Sequence, residues 1–516
     1  MTNYWGEDLN IGLYRPLVQI SYLLEGATVG FVPVISHAIG LILHLVVVVL
    51  LWRLLLAAGT GSGPAFWGTL AFGVNPALLD AHVWVSGRTD VMAAGFVLGG
   101  LLLGLRLRDR DEGAWSRGSL LLGLLYLLGL FSKEMAVTLP LLLWLFVGGG
   151  VFRRMPVLLT ALLAYGLCRL SAVDGYLPVG TSSGVVLLDH GLIERCAIGA
   201  RALLRLLMML IVPCGLAADH RGHAWASSET EADVIGIASI LVLVAMIWRG
   251  RELCRRGQRP GLLLMAVPVS LLPVLQIIPI GAVMAERFLY LPAVFLLGFV
   301  AWGAARIFPQ RVALAGAVCA CAVLSVISWQ RASIYEDEGT YLEDVVRVYP
   351  TDHQAWLNLG VHHWEKMPPD WTAAESCFKT AISSKERYLK GQLNLARLYL
   401  DWDVQSPSLK RLEQAEQTLS PLRKTNPDCL YLLGKVSLRR ADRVPHQSIK
   451  LLDLAIDRYT RAAEQFAARG SPPRRVAAAW KEAGLAARKR GDEKLAAAAF
   501  RKSKLADPTI SVPPVR

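Results

Sequence analysis

The chain has 516 residues, a formal net charge of +13 and a mean hydropathy of +0.41, and 54% of its residues are hydrophobic. It is too apolar for an ordinary soluble protein of this length, and no zinc finger, Walker loop or basic-aromatic strand pattern predicts a nucleic-acid partner. Its eight cysteines form no CxxC pair, so neither a structural zinc site nor a redox site is predicted.

The apolar residues are concentrated between 34 and 330, and the rest of the chain is rich in charged residues. We therefore predict an all-α protein, with a polytopic transmembrane helix bundle followed by an α-solenoid of tetratricopeptide-like repeats. The predicted domains are an external amphipathic segment (1–33), a transmembrane domain (34–330), a repeat domain (331–508) and a disordered tail (509–516).

The first segment, "NYWGEDLNIGLYRPLVQISYLLEG" (3–26), is typical of an amphipathic helix that lies on a membrane. Tyr14 and Arg15 precede Pro16, which suits the first position of a helix. Alternatively, the segment only anchors the chain at the membrane surface and has no part in substrate binding.

Ten apolar segments follow, each near the length needed to cross a bilayer. They are 34–58, 64–80, 89–107, 117–132, 135–150, 155–172, 232–248, 261–283, 286–306 and 312–329. Segment 195–214 is apolar but carries arginines at helical spacing, and we interpret it as an interfacial or re-entrant helix.

Basic loops at 106–117, 152–154, 249–260 and 306–311 predict the cytoplasmic side. The opposite, external side then receives the loops 80–90, 132–135, 173–231 and 282–287, and everything after Trp329. The same count places Met1 outside, although residues 1–33 contain neither a signal peptide nor a spanning helix. We expect either that the first apolar helix acts as a signal anchor or that a helix precedes Met1.

Charged residues within apolar sequence fall in the external loops. They are Asp80, Arg88, Asp90, Lys133, Glu134, Glu286 and Arg287. Ionisable groups at membrane depth are costly unless they face a cavity or one another, so their placement indicates a polar pocket. The alternative is structural, with Asp90 capping a helix, Arg88 at the interface and the other groups marking charged turns.

After residue 330 the pattern changes to amphipathic helices. "WLNLG" (356–360) and "AESCF" (374–378) match the two helices of a tetratricopeptide repeat, and "AAAAF" (496–500) repeats the second signature. A generic helical bundle is the alternative. Such repeat arrays form surfaces that hold peptides or proteins.

These motifs, in this order, resemble the multi-pass O-mannosyltransferases that carry tetratricopeptide repeats on the luminal side. The resemblance covers nearly the whole chain. It rests on "NYWG…YRPL", "NPALLDAHVWVSGRTDVMAA", "SKE" and "AERFLYLP", and most specifically on Gly87-Arg88-x-Asp90 and on Ala285-Glu286-Arg287 with Tyr290-Leu291-Pro292.

The resemblance implies a membrane glycosyltransferase that moves a sugar, expected to be mannose, from a polyprenyl-phosphate carrier to Ser or Thr of a polypeptide. It implies that Arg88, Lys133 and Arg287 stabilise the leaving phosphate. Asp80, Asp90, Glu134 and Glu286 would orient these cations or hold a divalent metal ion, while Tyr14, Arg15 and Tyr290 would bind substrate. The repeats would present the acceptor polypeptide.

The sequence departs from the family at two places. The family's His-Pro-x-His-x-Glu is replaced by Asn75-Pro76-Ala77-Leu78-Leu79-Asp80, so both histidines are absent. Family members also place a spanning helix and an acidic pair before "YWG", whereas this chain starts just before that motif. We expect a start upstream of Met1 or a truncated copy, and only Glu7 and Asp8 remain in that segment for the role of general base.

A non-enzymatic alternative is a catalytically inactive, membrane-anchored scaffold whose repeats recruit proteins. A transporter would place its charges in the middle of helices, which this chain does not do. We expect the bacterial inner membrane with periplasmic repeats, and alternatively the endoplasmic reticulum with luminal repeats.

Overall fold

A computed structural model describes residues 14–110, 113–172, 190–220, 231–278, 282–385, 388–422 and 426–514. Within these ranges the chain is helical and contains no strand, which confirms the all-α prediction. The chain divides into two compact units, Met1–Tyr349 and Pro350–Arg516.

The first unit is built from apolar helices joined by short turns. Its α-helices are α1 (Pro16–Thr28), α2 (Pro33–Ala57), α3 (Ser62–Gly73), α4 (Leu79–His82), α5 (Arg88–Arg106), α6 (Arg117–Ser132), α7 (Leu139–Val147), α8 (Met155–Ala172), α9 (Leu192–Ile211), α10 (Glu231–Arg255), α11 (Gly261–Leu271), α12 (Tyr290–Ile307), α13 (Gln310–Ala332) and α14 (Glu338–Val348). Short 3-10 turns connect them at Pro76–Leu78, Val85–Gly87, Glu134–Thr138, Gly148–Arg154, Leu272–Val274, Glu286–Leu289 and Ser333–Tyr335.

Among the described residues, six helical stretches are long and apolar enough to cross a membrane. They are Pro33–Ala57, Val85–Arg106, Glu134–Ala172, Val234–Arg255, Glu286–Ile307 and Gln310–Tyr335. Arg117–Ser132 and Gly261–Val274 are apolar but shorter. The helices therefore fit a multi-pass membrane protein.

The predicted span 64–80 is broken in the structure. Helix α3 ends at Gly73, and the side chain of Asn75 accepts a hydrogen bond from the backbone N–H of Ala77, 3.0 Å away. The Asn75 amide also donates to the carbonyl of Leu210 at 3.0 Å. The Asn75 side chain replaces helical hydrogen bonds of the backbone, so the helix stops and the chain turns here. Asp80 follows on the one-turn helix α4, outside the apolar stretches.

The stretch from Glu134 to Ala172 is folded back on itself. Gly148 has a φ of +79°, and Arg154 donates to the carbonyls of Gly150, at 3.0 Å, and Leu107, at 2.5 Å. These contacts satisfy one carbonyl in the turn between α7 and α8 and one at the end of α5. The two predicted spans 135–150 and 155–172 are thus the two arms of a hairpin.

Segment 195–214, predicted to be interfacial or re-entrant, forms the amphipathic helix α9. Its apolar face, including Leu203, Leu206 and Leu210, is buried against the bundle. Gly236 of α10 lies so close to Ala197 that a Cβ there would approach the Ala197 Cβ to 2.7 Å. The helix is therefore packed as part of the first unit.

The second unit is a series of helical hairpins. Its helices are α15 (His353–Glu365), α16 (Trp371–Ser383), α17 (Leu389–Gln405), α18 (Leu409–Leu419), α19 (Pro427–Arg443), α20 (Ser448–Ala468), α21 (Pro473–Arg490) and α22 (Glu493–Ala506), with 3-10 turns at Ser420–Leu422 and Pro445–Gln447.

One glycine–aromatic contact recurs in these hairpins. A Cβ on Gly360 would lie 2.6 Å from the ring of Phe378, one on Gly434 would lie 2.7 Å from Tyr459, and one on Gly484 would lie 2.5 Å from Phe500, so only glycine lets the paired helices approach. This regular packing confirms a helical repeat architecture. That the repeats are tetratricopeptide repeats stays a prediction.

The boundary between the units falls later than the predicted 330/331. Helix α14 belongs to the first unit because its Asp344 carboxylate accepts the backbone N–H of Ala218 at 2.8 Å. Tyr349 is likewise within hydrogen-bond distance, 2.6 Å, of His220.

Candidate functional site

Charged side chains from separate segments gather at one end of the first unit. This end is formed where α5 begins and α6 finishes, since Asp90 and Lys133 are paired there. At the same end, Glu286 in the turn before α12 pairs with Arg331 in the last turn of α13. Helices that run in alternate directions therefore deliver their charged ends to one region.

The first pair is Asp80 with Arg287. Oδ2 of Asp80 accepts the backbone N–H of Arg287 at 3.3 Å and its guanidinium at 3.4 Å. The guanidinium stacks over the ring of Trp84, 5.0 Å from its centre, and 27% of the Arg287 side chain is exposed. Oδ1 of Asp80 is buried and has no hydrogen-bond partner among the described residues.

The second pair is Asp90 with Lys133. Nζ of Lys133 lies 2.6 Å from Oδ1 and 2.7 Å from Oδ2 of Asp90, and both side chains are buried. The hydroxyl of Thr89 donates to the same carboxylate at 3.2 Å. Asp90 begins α5, where the helix dipole favours a negative charge. Both its oxygens are thus engaged.

Glu134 lies between two arginines. Arg15 donates to one oxygen of its carboxylate at 3.0 Å and Arg169 to the other at 3.3 Å. Tyr165 accepts from Arg169 at 3.1 Å, and Tyr14 packs edge-on against a neighbouring ring, that of Phe131, 6.1 Å away. The side chains of Arg15 and Glu134 remain 23% and 35% exposed, so this is an accessible part of the site.

Glu286 is buried beneath this region and has several partners. Arg331 lies 2.5 Å from Oε2, while Oε1 accepts the backbone N–H of Ala217 at 2.8 Å and lies 3.1 Å from Nε2 of His220. Arg331 also donates to the carbonyl of Pro76 at 2.7 Å. This network ties the loop at 212–220 to two other segments of the unit.

The predicted phosphate ligand Arg88 has different partners from the rest of the cluster. Its guanidinium donates to Glu25 at 2.6 Å and to Ser21 at 3.2 Å, and it stacks over Tyr22 at 4.5 Å. Only 2% of its side chain is exposed. Arg88 therefore holds α1 against α5, and its charge is matched by a carboxylate that the sequence analysis did not consider.

Tyr290, predicted to bind substrate, is buried. Its hydroxyl lies 2.6 Å from Nδ1 of His44, whose ring stacks on His82 with centres 4.1 Å apart. The sequence motifs do not point to this histidine pair, nor to Glu25, Arg331 and His220. Tyr290 thus supports the turn that carries Arg287 and does not face solvent.

Asp80 and Lys133 lie outside the apolar spans and have shifted pKa values. Burial raises the pKa of Asp80 to about 6, against the lowering effect of Arg287, and the carboxylates of Glu286, Asp90 and Asp219 add to the rise. Burial lowers the pKa of Lys133, and Asp90 opposes this shift. Asp219, in the loop at 212–220, thereby joins the site electrostatically.

The described residues do not fit the divalent metal ion considered above. No group of three His, Cys, Asp or Glu side chains among them could hold one. The carboxylates instead face arginine and lysine, which compete with a cation for the same oxygens. Glu7 and Asp8, the other acids considered, lie outside the described residues.

An apolar groove of about 670 Å³ lies beside this site. It is formed by α9, α10 and α12, and its lining includes Leu204, Met208, Val212, Met246 and Leu296. The chain that leaves the groove at Val212 reaches Ala217, whose N–H binds Glu286. The groove and the charged cluster are therefore joined by a few residues.

Comparison with known proteins finds a partial similarity. The chain is 34% identical over 96 residues to "Protein O-mannosyl-transferase TMTC1" of Mus musculus, and 33% identical over 96 residues to the Homo sapiens protein of that name. The matched stretch is 18% of this chain and 10% and 11% of the two relatives. The chain thus spans about a tenth of the length of the curated relatives that it matches.

No protein-family model matches the chain. The partial similarity supports a glycosyltransferase or a repeat-containing membrane protein. It agrees with the resemblance seen in the motifs, while the repeat type and the sugar carrier remain predictions.

Proposed function

We propose that the chain is a membrane glycosyltransferase that moves a sugar, mannose, from a polyprenyl-phosphate carrier to Ser or Thr of a polypeptide. One observation carries this proposal: partly exposed arginines lie beside carboxylates at a single end of an apolar bundle. Arg287 and Arg15 are 27% and 23% exposed there. A reaction that expels a phosphate ester from a lipid carrier needs this combination of cations and apolar surroundings.

Arg287 is the best placed to bind the phosphate. Its guanidinium is braced on one side by Trp84 and on another by Asp80, and it keeps an exposed edge. A planar guanidinium fixed in this way binds phosphate oxygens through two parallel hydrogen bonds. Arg15 is the second candidate, since its pair with Glu134 is open to solvent.

Lys133 and Arg88 act indirectly in this proposal. Lys133 is buried and holds Asp90, which keeps the start of α5 in place. Arg88 is buried against Glu25 and fixes α1, the helix that begins directly after Arg15. Both residues are therefore positioning residues and not phosphate ligands.

The apolar groove supports a lipid-linked donor. Its size and apolar lining suit several isoprene units of a polyprenyl chain. Residues 212–217 lead from the groove to Glu286, so a bound chain would bring its phosphate toward the charged cluster. The repeats of the second unit would hold the acceptor polypeptide, because stacked hairpins form extended binding surfaces.

A membrane-anchored scaffold is the second candidate function. One observation favours it: Asp90, Glu134 and Glu286 all have cationic partners within 3.3 Å, so much of the cluster is neutralised as in a structural network. Under this alternative the repeats would bind a protein and no sugar would be transferred.

The test is sugar transfer by the full chain in proteoliposomes, with labelled mannosyl-phosphoryl polyprenol and a Ser/Thr-rich peptide. We expect the unaltered protein to label the peptide. Arg287→Gln should lower kcat/KM by about 10²–10³-fold, the usual effect of removing one preorganised donor.

The matched control is Arg306→Gln. Arg306 lies at the other end of α12 and also stacks on a tryptophan, Trp302, at 5.9 Å. Loss of charge there should leave transfer unchanged. Equal activity of both variants would exclude Arg287 from the reaction, and an unaltered protein that binds donor without transferring sugar would favour the scaffold.

A further inference from the structure

The structure distinguishes Asp80 from the other carboxylates of the site. We infer that Oδ1 of Asp80 is the general base that accepts the proton of the acceptor hydroxyl. This inference rests on the proposed sugar transfer and assigns a role that the sequence left open.

Each of the other three acids predicted from the sequence, Asp90, Glu134 and Glu286, has both oxygens engaged. Both oxygens of Asp90 are within 2.7 Å of the Lys133 ammonium. Glu286 is bound by Arg331 on one oxygen and by a backbone N–H on the other. A carboxylate held in this way has no oxygen without a donor to receive the acceptor hydroxyl.

Glu134 is excluded by the same reasoning. Arg15 binds one of its oxygens and Arg169 binds the other, so a proton would have to displace a charged donor. Asp80 differs because its donors, the N–H and guanidinium of Arg287, both go to Oδ2. Oδ1 of Asp80 is buried and accepts no hydrogen bond from the described residues. A buried acceptor without a partner is costly, so such an atom calls for an explanation.

The backbone around Asp80 is fixed by close packing. A Cβ on Gly87 would collide with the carbonyl of Asp80 and would lie 2.6 Å from that of Ala81. Glycine at this position lets the turn 85–87 close over α4. The carboxylate is thus held at one place relative to Arg287, as a catalytic group must be.

The surroundings favour a carboxylate that takes up protons near neutral pH. The groups that face Asp80 from the packed segments are Arg287 and Glu286 before α12, Asp90 on α5, Asp219 in the loop at 212–220, and Arg331 with Tyr335 at the end of α13. On its own helix the nearby titratable group is His82, whose ring stacks on His44 of α2. With the pKa of Asp80 raised to about 6, the group is ionised at pH 7 and basic enough to accept a proton.

Donor binding would strengthen this base. The phosphate drawn to Arg287 adds negative charge beside Asp80 and shares the guanidinium that holds Oδ2. Both effects favour the protonated carboxyl group. Proton affinity therefore rises at the moment when the donor is in place.

The step balances as follows. The hydroxyl of Ser or Thr gives its proton to Oδ1 of Asp80, and the oxygen uses the freed electron pair to bond the anomeric carbon. The bond between that carbon and the phosphate oxygen breaks, and its electron pair leaves with the polyprenyl phosphate beside Arg287. Asp80 then releases the proton to solvent.

The experiment compares Asp80→Asn with the unaltered full chain in proteoliposomes, using a Ser peptide and an otherwise identical Cys peptide. A thiol has a pKa of about 8.5 and needs a base far less than a hydroxyl does. We expect Asp80→Asn to lower transfer to Ser by about 10²–10⁴-fold and transfer to Cys by much less, while donor binding is kept. Equal losses with both peptides would show that Asp80 only positions other groups and would overturn the inference.

A second measurement covers the case in which Asp80→Asn does not fold. The kcat/KM for the donor, which reports the free enzyme, should fall as the pH drops below about 6, since the base works only when deprotonated. Asp80→Glu should displace this limb, and a kcat/KM that is flat through pH 5 would overturn the assignment. Absence of transfer by the unaltered protein would contradict the proposed function itself, a different result from either of these.

Discussion

The ion pair between Glu286 and Arg331 shows how single residues hold the site together. The two side chains are 1% and 6% exposed and lie 2.5 Å apart. Arg331 also donates to the carbonyls of Pro76, at 2.7 Å, and Ala217, at 2.9 Å. One side chain therefore joins α13 to the turn before α4 and to the loop at 212–220.

Arg331→Met should destabilise the protein by about 3–5 kcal/mol, because it leaves the charge of Glu286 buried without a partner. The double variant Glu286→Gln/Arg331→Met should recover part of this loss, since the charge is then absent. The thermal midpoint of the full chain in detergent measures both effects. A single variant as stable as the unaltered protein would show that the pair is not needed for folding.

Some site residues could be predicted from the sequence and others could not. Asp80, Lys133 and Glu286 interrupt apolar stretches. A charged group at membrane depth costs free energy, so these three residues indicate a functional or structural site. Arg331 follows an apolar helix, where a basic residue is ordinary. Its role depends on a partner 45 positions away, which no local pattern encodes.

For Arg88 the sequence indicates the residue but not its partner. Like Asp80, Arg88 is a charged residue between apolar stretches, and its charge suggests phosphate binding. Its partner Glu25 is 63 positions away, on a helix that was predicted only to lie on the membrane. The sequence therefore shows the charge of Arg88 but not the carboxylate that pairs with it.

At the scale of elements, α1 is fastened at both ends across the polar region. Arg15 precedes its first turn and pairs with Glu134 at 3.0 Å. Near its end, Glu25 pairs with Arg88 and accepts a hydrogen bond from Ser36, and between them the Tyr22 hydroxyl donates to the carbonyl of Val85 at 2.6 Å. The helix thus sets the position of Arg15 at the site.

Glu25→Gln should raise the KM for the lipid-linked donor by about 10-fold or more. It leaves the charge of Arg88 buried without its partner, at a cost of about 3–5 kcal/mol, and so frees the helix that begins after Arg15. The effect on kcat should be smaller, since Arg287 and Asp80 do not contact Glu25. The control is Glu252→Gln, whose pair with Arg256 is exposed to solvent and contributes little to stability. Similar KM values for the two variants would show that the position of α1 does not affect donor binding.

In the second unit, only some of the helical hairpins carry a recognisable sequence signature. The signatures at 356–360 and 496–500 fall on hairpins where Gly360 meets Phe378 and Gly484 meets Phe500. Gly434 makes the same contact with Tyr459, but its hairpin lacks the alanine–phenylalanine spacing in the sequence. The packing is retained there with tyrosine in place of phenylalanine, so the sequence signature is absent although the contact is present.

At the scale of the whole molecule, the net charge belongs almost entirely to the second unit. Residues 350–516 contain 29 Lys and Arg against 18 Asp and Glu, whereas residues 1–349 contain 25 against 23. A long domain crosses a membrane largely regardless of its charge, so this surplus does not set the orientation. The orientation of the chain in the membrane depends on the short loops between apolar helices. In the part of the chain that the structure describes, the loops that follow α5 and α10 are rich in arginine.

These loops predict that the charged end of the bundle and the second unit face away from the cytoplasm. Arg106 and Arg255 lie at the far ends of α5 and α10, while Arg88 and Asp90 open α5 at the charged end. The last apolar helix, α13, brings Arg331 to that same end before the chain enters the second unit. An acceptor held by the repeats would then be on the same side of the membrane as the site.

The prediction can be tested with two protease sites in sealed vesicles of known orientation. A tag after Arg516 should resist a protease added on the cytoplasmic side, whereas a tag inserted in the loop 256–260 should be cleaved from that side. Detergent should make both sites accessible, which shows that neither is hidden by folding. Cleavage after Arg516 in intact vesicles would place the repeats in the cytoplasm, and acceptors would then have to come from that side.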